Sequence, residues 1–222
     1  MDRDHAKPER LPAEGQEQSN QRTNPGKPSL RRRLLTDAAW LLACVLAVVL
    51  LRMFVFGAYV IPSESMEPTL NVGDRVVASK LQPRLRGVQR GDIVIFHDPD
   101  RWLNTGPGDD YLIKRVIGVA GDHVSADGSG SVVVNGKPLN ESSYIMPGAV
   151  PSQIPFSVKV RPGCIFVMGD NRSNSADSRF HMSDANGGQV PLGRVEAIAN
   201  WTYWPLDRLG AIHRPGEIFA GL

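Results

Sequence analysis

Fourteen consecutive residues without a charge, Ala38 to Leu51 (AAWLLACVLAVVLL), constrain this chain more than any other feature. They show no polar face, so they do not fit the amphipathic helix of a soluble domain. Arg52 interrupts, and the apolar character resumes in MFVFGAYVI as far as Ile61. As a helix, residues 38–61 would extend about 36 Å, enough for a hydrocarbon core of about 30 Å. A cleavable signal peptide is the rival reading, because a run of this length fits its hydrophobic region. No clean Ala-x-Ala follows, however, so the sequence predicts a retained transmembrane anchor over 38–61. Arg52 can snorkel toward the headgroups. Arg31, Arg32 and Arg33 keep the amino terminus cytoplasmic by the positive-inside rule. Residues 62–222 then lie outside the plasma membrane.

Residues 1–37 are rich in Pro, Gln, Asn and charge, and read as a disordered cytoplasmic tail. The whole chain carries 25 Lys+Arg against 23 Asp+Glu, a formal +2, which excludes the basic excess of a nucleic-acid binder. Two cysteines, Cys44 and Cys164, make neither a disulfide framework nor a cysteine zinc site. There is no nucleotide-binding glycine loop, no HExxH and no ligand-type histidine spacing, so no metal and no cofactor is expected. Residues 62–222 suffice for one domain. Gly 22 and Pro 17 favour short strands and turns. Strand signals run through 74–81, 91–97, 111–120, 131–139, 156–160, 164–170 and 194–204. Asn135-Gly136 reads as a hairpin turn, and 98–110 and 141–155 as irregular insertions. The fold class is mostly β, an antiparallel domain behind one transmembrane helix and a disordered tail.

His5, His97, His123, His181 and His213 sit in no recognisable triad setting. Ile61-Pro62-Ser63-Glu64-Ser65-Met66-Glu67-Pro68 is more suggestive. Its prolines favour extended backbone, in which Ser63 and Ser65 point the same way. One hydroxyl can be a nucleophile and the other can help stabilise an oxyanion; a plain Ser/Pro linker is the competing reading. A serine near neutral pH needs a base, and a desolvated lysine can serve. In YLIKRVIGV, Lys114 lies between Leu112 and Val116 on one strand face, while Arg115 stays protonated and cannot accept a proton. The competing reading of Lys114 is an edge lysine that blocks sheet pairing. Lys80, at a strand end, reads as solvated.

Four boxes then stand in order: Ser63-x-Ser65-Met66-x-Pro68-Thr69-Leu70, Gly91-Asp92-Ile93-Val94, Lys114-Arg115-Val116-Ile117-Gly118-Val119-Ala120-Gly121-Asp122, and Gly169-Asp170-Asn171-Arg172-Ser173-Asn174-Ser175-Ala176-Asp177-Ser178-Arg179. Together with the anchor they resemble the bacterial type I signal peptidase (leader peptidase) family, a Ser/Lys serine peptidase group. The resemblance covers the anchor and nearly all of 57–200. It implies Ser65 as nucleophile and Lys114 as general base. It also implies that Ser63 joins the Ser65 N–H in the oxyanion hole and that Ser175 hydrogen-bonds the lysine amine. Asp177 and Arg179 would brace the site as a charged pair, with Asp170 and Asn171 supporting it. Ser173 stands where some members carry Asp, and Phe180-His181-Met182-Ser183 replaces an aromatic-Gly continuation. The insertion at about 122–163 implies a reduced accessory β subdomain.

The implied activity is removal of signal peptides from exported preproteins, cut at Ala-x-Ala type sites. Ile61, Leu112 and Ile113, which flank the two catalytic segments, are the expected substrate-binding walls. The partners implied are preproteins and the lipid bilayer, with no nucleic acid and a monomeric state. Met66 is expected to pack inward. Trp201, Tyr203 and Trp204 invite a membrane-interface role, but aromatics at alternating positions of a small β domain are expected to close the core. Two other classes compete: a self-cleaving Ser/Lys protein of the repressor type, and a non-catalytic anchored β domain.

Overall fold

β-branched and apolar runs punctuated by Gly, Pro and Asp form twelve short strands in the computed structural model, which describes residues 30–103 and 111–222. They are β1 Phe56–Val60, β2 Arg75–Ser79, β3 Ile93–His97, β4 Tyr111–Val119, β5 His123–Asp127 and β6 Val133–Val134. Next come β7 Lys137–Pro138, β8 Pro155–Lys159, β9 Cys164–Met168, β10 Val190–Pro191, β11 Val195–Trp204 and β12 Gly210–Ala211. The larger sheet has the order β1-β2-β11-β3-β4-β9-β10, with β12 pairing β11, and the smaller has the order β7-β6-β5-β8. All pairings are antiparallel, as the mostly-β reading requires.

One long helix, α1, spans Leu30–Phe54. It starts earlier and ends earlier than the predicted anchor over 38–61. Leu30 to Leu35 are good helix formers, and the Thr36 hydroxyl caps inward onto the Arg33 carbonyl at 2.7 Å, so the last part of the predicted disordered tail is helical. At the other end, residues 56–60 leave the helix because Phe56↔Ser79 through Val60↔Arg75 pair as strands. Tyr59 and Val60 suit a pleated surface better than a helix. The stretch Leu30–Arg52 is long and apolar enough to cross a membrane. The expected disorder of residues 1–29, and part of the insertion at 98–110, fall outside the described residues.

Strand β4 sits inside the larger sheet between β3 and β9 and is buried along almost its whole length. On its Leu112 and Val116 side it joins Val94, Phe96, Trp102, Ile165 and Ile198. Ile113 belongs to a second cluster with Ile61, Met66, Leu70 and Ile93, so Met66 packs inward as expected. Ile117, Phe166 and Met168 meet Val124, Val134 and Phe156 of the smaller sheet. The strands of that smaller sheet lie between His123 and Lys159. Asn135 and Gly136 turn its hairpin with φ of 52° and 81°, the left-handed pair that a two-residue turn demands.

The aromatic end of β11 departs from expectation. Thr202 is buried, whereas Trp201 and Trp204 are 50% and 48% exposed and Tyr203 is also exposed. Trp201 and Tyr203 lie opposite buried Thr202 by plain alternation, and a register shift between Thr202 and Trp204 accompanies the exposure of Trp204. Cys44 and Cys164 are both free thiols.

Candidate active site

Sequence and backbone combine first at Ser65. Ser63 is extended (φ −137°, ψ 160°), but Glu64–Met66 close a single 3₁₀ turn, with Glu67 N–H donating to the Glu64 carbonyl at 3.1 Å. The segment is thus not extended throughout, as its prolines suggested. The two hydroxyls still converge, Ser63 Oγ lying 3.2 Å from Ser65 Oγ. Ser63 is exposed and Ser65 is 7% exposed, so one hydroxyl faces outward and the other is sheltered.

Lys114 reaches this turn from β4. Its Nζ lies 2.7 Å from Ser65 Oγ and donates to the carbonyl of Ile113 at 3.0 Å. The residue is 3% exposed, and no carboxylate among the described residues pairs with the amine. Burial pushes the Lys114 amine down to about 8, while the more distant charges of Asp177 and Asp170 pull weakly the other way. A neutral amine within hydrogen-bond reach of a hydroxyl is a base poised on a nucleophile.

The loop after β9 closes the site from behind. Asn171 N–H donates to the Ser65 carbonyl at 3.1 Å, and its side chain donates to the Glu64 carbonyl at 3.2 Å. Asp177 accepts from Gly169 N–H at 2.9 Å and from Arg179 Nε and Nη2 at 2.8 Å each. Burial alone would raise the Asp177 carboxyl, but the Arg179 guanidinium and these donors hold it below the usual range. Asp170 takes Arg115 Nε and Nη2 at 2.8 and 2.7 Å and the Thr69 hydroxyl at 2.5 Å. Thr69 and Arg115, given no supporting role by the sequence, are therefore part of the support. Gly169 is another such residue: a Cβ there would stand 2.4 Å from the Ser65 carbonyl and 2.2 Å from Ser175 Oγ. Only glycine lets the loop approach the Ser65 backbone this closely.

Ser175 is buried, and its hydroxyl faces the Asp177 carboxylate, which it helps to hold below the usual range, while the hydrogen-bond partners of the lysine amine are Ser65 and the Ile113 carbonyl. Ile61, Leu112 and Ile113 do come together, lining a cavity of about 210 Å³ with Tyr59, Val60, Pro62, Ile95 and Tyr111. Burial, then the negative charge of Glu196, pushes the Tyr59 phenol up to about 12, and the lining side chains are uncharged. The tyrosines were not singled out by sequence; their position just before Ile61 and Leu112 is the signal that was available. Lys80 pairs with Glu196 at 2.8 Å and takes no part. His123, His181 and His97 contact Ser157, Asp184 and Glu196, none of them Ser65. No group of three metal-ligating side chains occurs among the described residues.

Comparison with known proteins now bears on this geometry. The family model described as "Signal peptidase, peptidase S26" matches residues 34–204. Signal peptidase I of Mycobacterium tuberculosis is 34% identical over 86% of this chain and 79% of its own length. A probable signal peptidase I-2 of Synechocystis is 39% identical over 80% of this chain and 76% of its own. Signal peptidase I of Bacillus caldolyticus is 35% identical over 76% of this chain and 90% of its own. A solved signal peptidase I from Enterococcus faecalis is 25% identical, with a TM-score of 0.37 over 50% of this chain and 95% of that one.

Proposed function

Because the chain belongs to the signal peptidase family, peptidase S26, we propose that Ser65 and Lys114 are the pair with which it removes signal peptides from exported preproteins. It is a serine endopeptidase. The observation that carries the assignment is the buried Lys114 amine, without a carboxylate partner, 2.7 Å from Ser65 Oγ.

The neutral amine takes the Ser65 proton as Oγ attacks the scissile carbonyl carbon. The resulting oxyanion is met by the Ser65 backbone N–H and the Ser63 hydroxyl. Collapse passes the proton from the Lys114 ammonium to the leaving amine and leaves the signal peptide acylated on Ser65. Water, deprotonated by the same amine, then releases it. Asp177–Arg179, Asp170 and Asn171 keep the loop behind Ser65 in place.

The neutral cavity bounded by Ile61, Leu112 and Ile113 receives the residues before the cut. Its modest volume and aromatic walls fit a small side chain at the cleavage point and another two positions earlier. Helix α1 anchors the enzyme with its amino terminus in the cytoplasm and the β domain outside. The exposed Trp201 and Trp204 suit a water–lipid boundary, and the enzyme acts as a monomer. Neither the repressor-type reading nor the non-catalytic one has an observation of its own in its favour.

The test is a preprotein reporter whose signal ends in Ala-x-Ala, incubated with Ser65→Ala and Lys114→Ala separately. Both variants should lose cleavage by about three orders of magnitude or more; continued cleavage by both would end this reading.

A further inference from the structure

Three ion pairs lie fully buried behind Ser65: one lies within the loop after β9, and the other two tie that loop to β4 and to Glu141. Arg115–Asp170 and Arg179–Asp177 involve residues of the boxes read from the sequence. The third, Arg172–Glu141, reaches into the connection between β7 and β8 of the smaller sheet. Glu141 is 2% exposed and accepts from Arg172 Nη1 at 2.8 Å, from Arg172 Nη2 at 2.6 Å, and from the Tyr144 hydroxyl.

Arg172 spends its remaining donors on main chain. Nε donates to the Gly169 carbonyl at 3.0 Å and Nη1 to the Pro151 carbonyl at 2.7 Å. Gly169 is thereby gripped twice, its N–H by Asp177 and its carbonyl by Arg172. This is the residue against which the Ser65 carbonyl is seated too closely for any side chain. The Tyr144 ring centroid stands 4.4 Å from the Arg115 guanidinium carbon and 5.9 Å from that of Arg172. One tyrosine thus touches both arginines and the carboxylate that holds one of them.

We infer that Glu141 and Tyr144 are positioning residues for the peptidase reaction, fixing Arg172 and, through it, the Gly169 backbone behind Ser65. The inference rests on reading Ser65 as the nucleophile. Without the Glu141 charge, Arg172 is a buried cation in need of a carboxylate. Asp170, whose carbonyl already accepts from Arg172 N–H at 3.1 Å, is one residue away from Gly169 and committed to Arg115. Any turn of Arg172 toward it releases the Gly169 carbonyl and loosens a second pair. A displacement of about 1 Å at a reacting group costs on the order of 100-fold in rate. The substrate cavity is built from other segments, β1, Ile61-Pro62 and the start of β4, so binding should be spared.

The experiment uses the full chain in detergent micelles with a preprotein substrate, comparing Glu141→Gln, Glu141→Asp and Tyr144→Phe. Per folded molecule, Glu141→Gln should lower kcat about 10- to 100-fold with KM within about twofold. Glu141→Asp, which keeps the charge, should recover part of that loss. Tyr144→Phe removes only the hydroxyl, and should lower kcat about threefold at unchanged KM. If kcat per folded molecule stays within about twofold of the parent in Glu141→Gln and Tyr144→Phe, with only the melting temperature reduced, the pair is merely structural and the inference fails. Should Glu141→Gln not fold, Tyr144→Phe decides on the same criterion. Ser65→Ala separates the two layers: its retained cleavage would overturn the nucleophile reading itself. An inert Ser65→Ala beside fully active Glu141 and Tyr144 variants would overturn only the positioning role.

Discussion

Lys114 and Arg115 are neighbours in one strand, both cations and both buried, yet their surroundings treat them oppositely. Arg115 has a bidentate carboxylate, a threonine hydroxyl and a backbone carbonyl about its guanidinium. Lys114 has a serine hydroxyl and one carbonyl. Pairing keeps the arginine charged, and its acidity moves to higher pH despite the opposing effect of burial. Leaving the lysine unpaired lets burial act on it unopposed at close range, and the amine drops to about 8. The contrast teaches that burial by itself does not make a base. Withholding a carboxylate from the buried group does.

The same substitution at the two positions breaks the comparison most sharply. Lys114→Met should reduce kcat/KM by about three to four orders of magnitude, as removal of a base usually does, measured with a preprotein or peptide substrate. Arg115→Met should instead act on stability, costing about 3–5 kcal/mol because Asp170 is left buried without its partner; urea denaturation would show it. Lys114→Met should have the reverse sign on stability. Folding lowers this amine from 10.5 to about 8. Between those values the unfolded chain holds a proton that the folded one has released, so stability rises with pH across that window. Below about pH 8 both states are protonated and burial of the charge costs about 3 kcal/mol, which the variant should regain at neutral pH.

The activity of the parent chain sharpens the contrast. Its kcat/KM should fall about tenfold per pH unit on descending below about pH 8, as an amine base requires. A profile flat to pH 6 would contradict it. The smallest effect belongs to the rim of the site: Asn174, whose amide donates to Glu64 at 2.9 Å in an exposed setting. Asn174→Ala should change stability by no more than about 0.5 kcal/mol and leave cleavage within about twofold.

Lys114 stood out because a lysine in YLIKRVIGV contradicts its own apolar strand, and such local contradictions point to candidate working residues. The paired hydroxyls were legible from their spacing, although through a turn rather than an extended chain. The fold class followed from β-branched runs between turn residues. Strand β5, HVSAD, was missed because its alternating polar residues look like loop. Strand β1 was hidden by the apolar stretch that continues α1. Glu141 and Arg172 lie 31 positions apart, and no local periodicity joins them. Long-range ion pairs are written only in the tertiary fold.

The lowered amine at Lys114 has a consequence for secretion as a whole. With the amine lowered to about 8, its protonated form predominates at neutral pH and the share with a free lone pair grows toward alkaline pH. The rest of the population waits, fully assembled, for a proton to leave. With Lys114 as the proposed base, signal-peptide removal would follow the pH around that amine. Acidification would then silence the enzyme by protonating one amine, and a mildly alkaline shift would restore it.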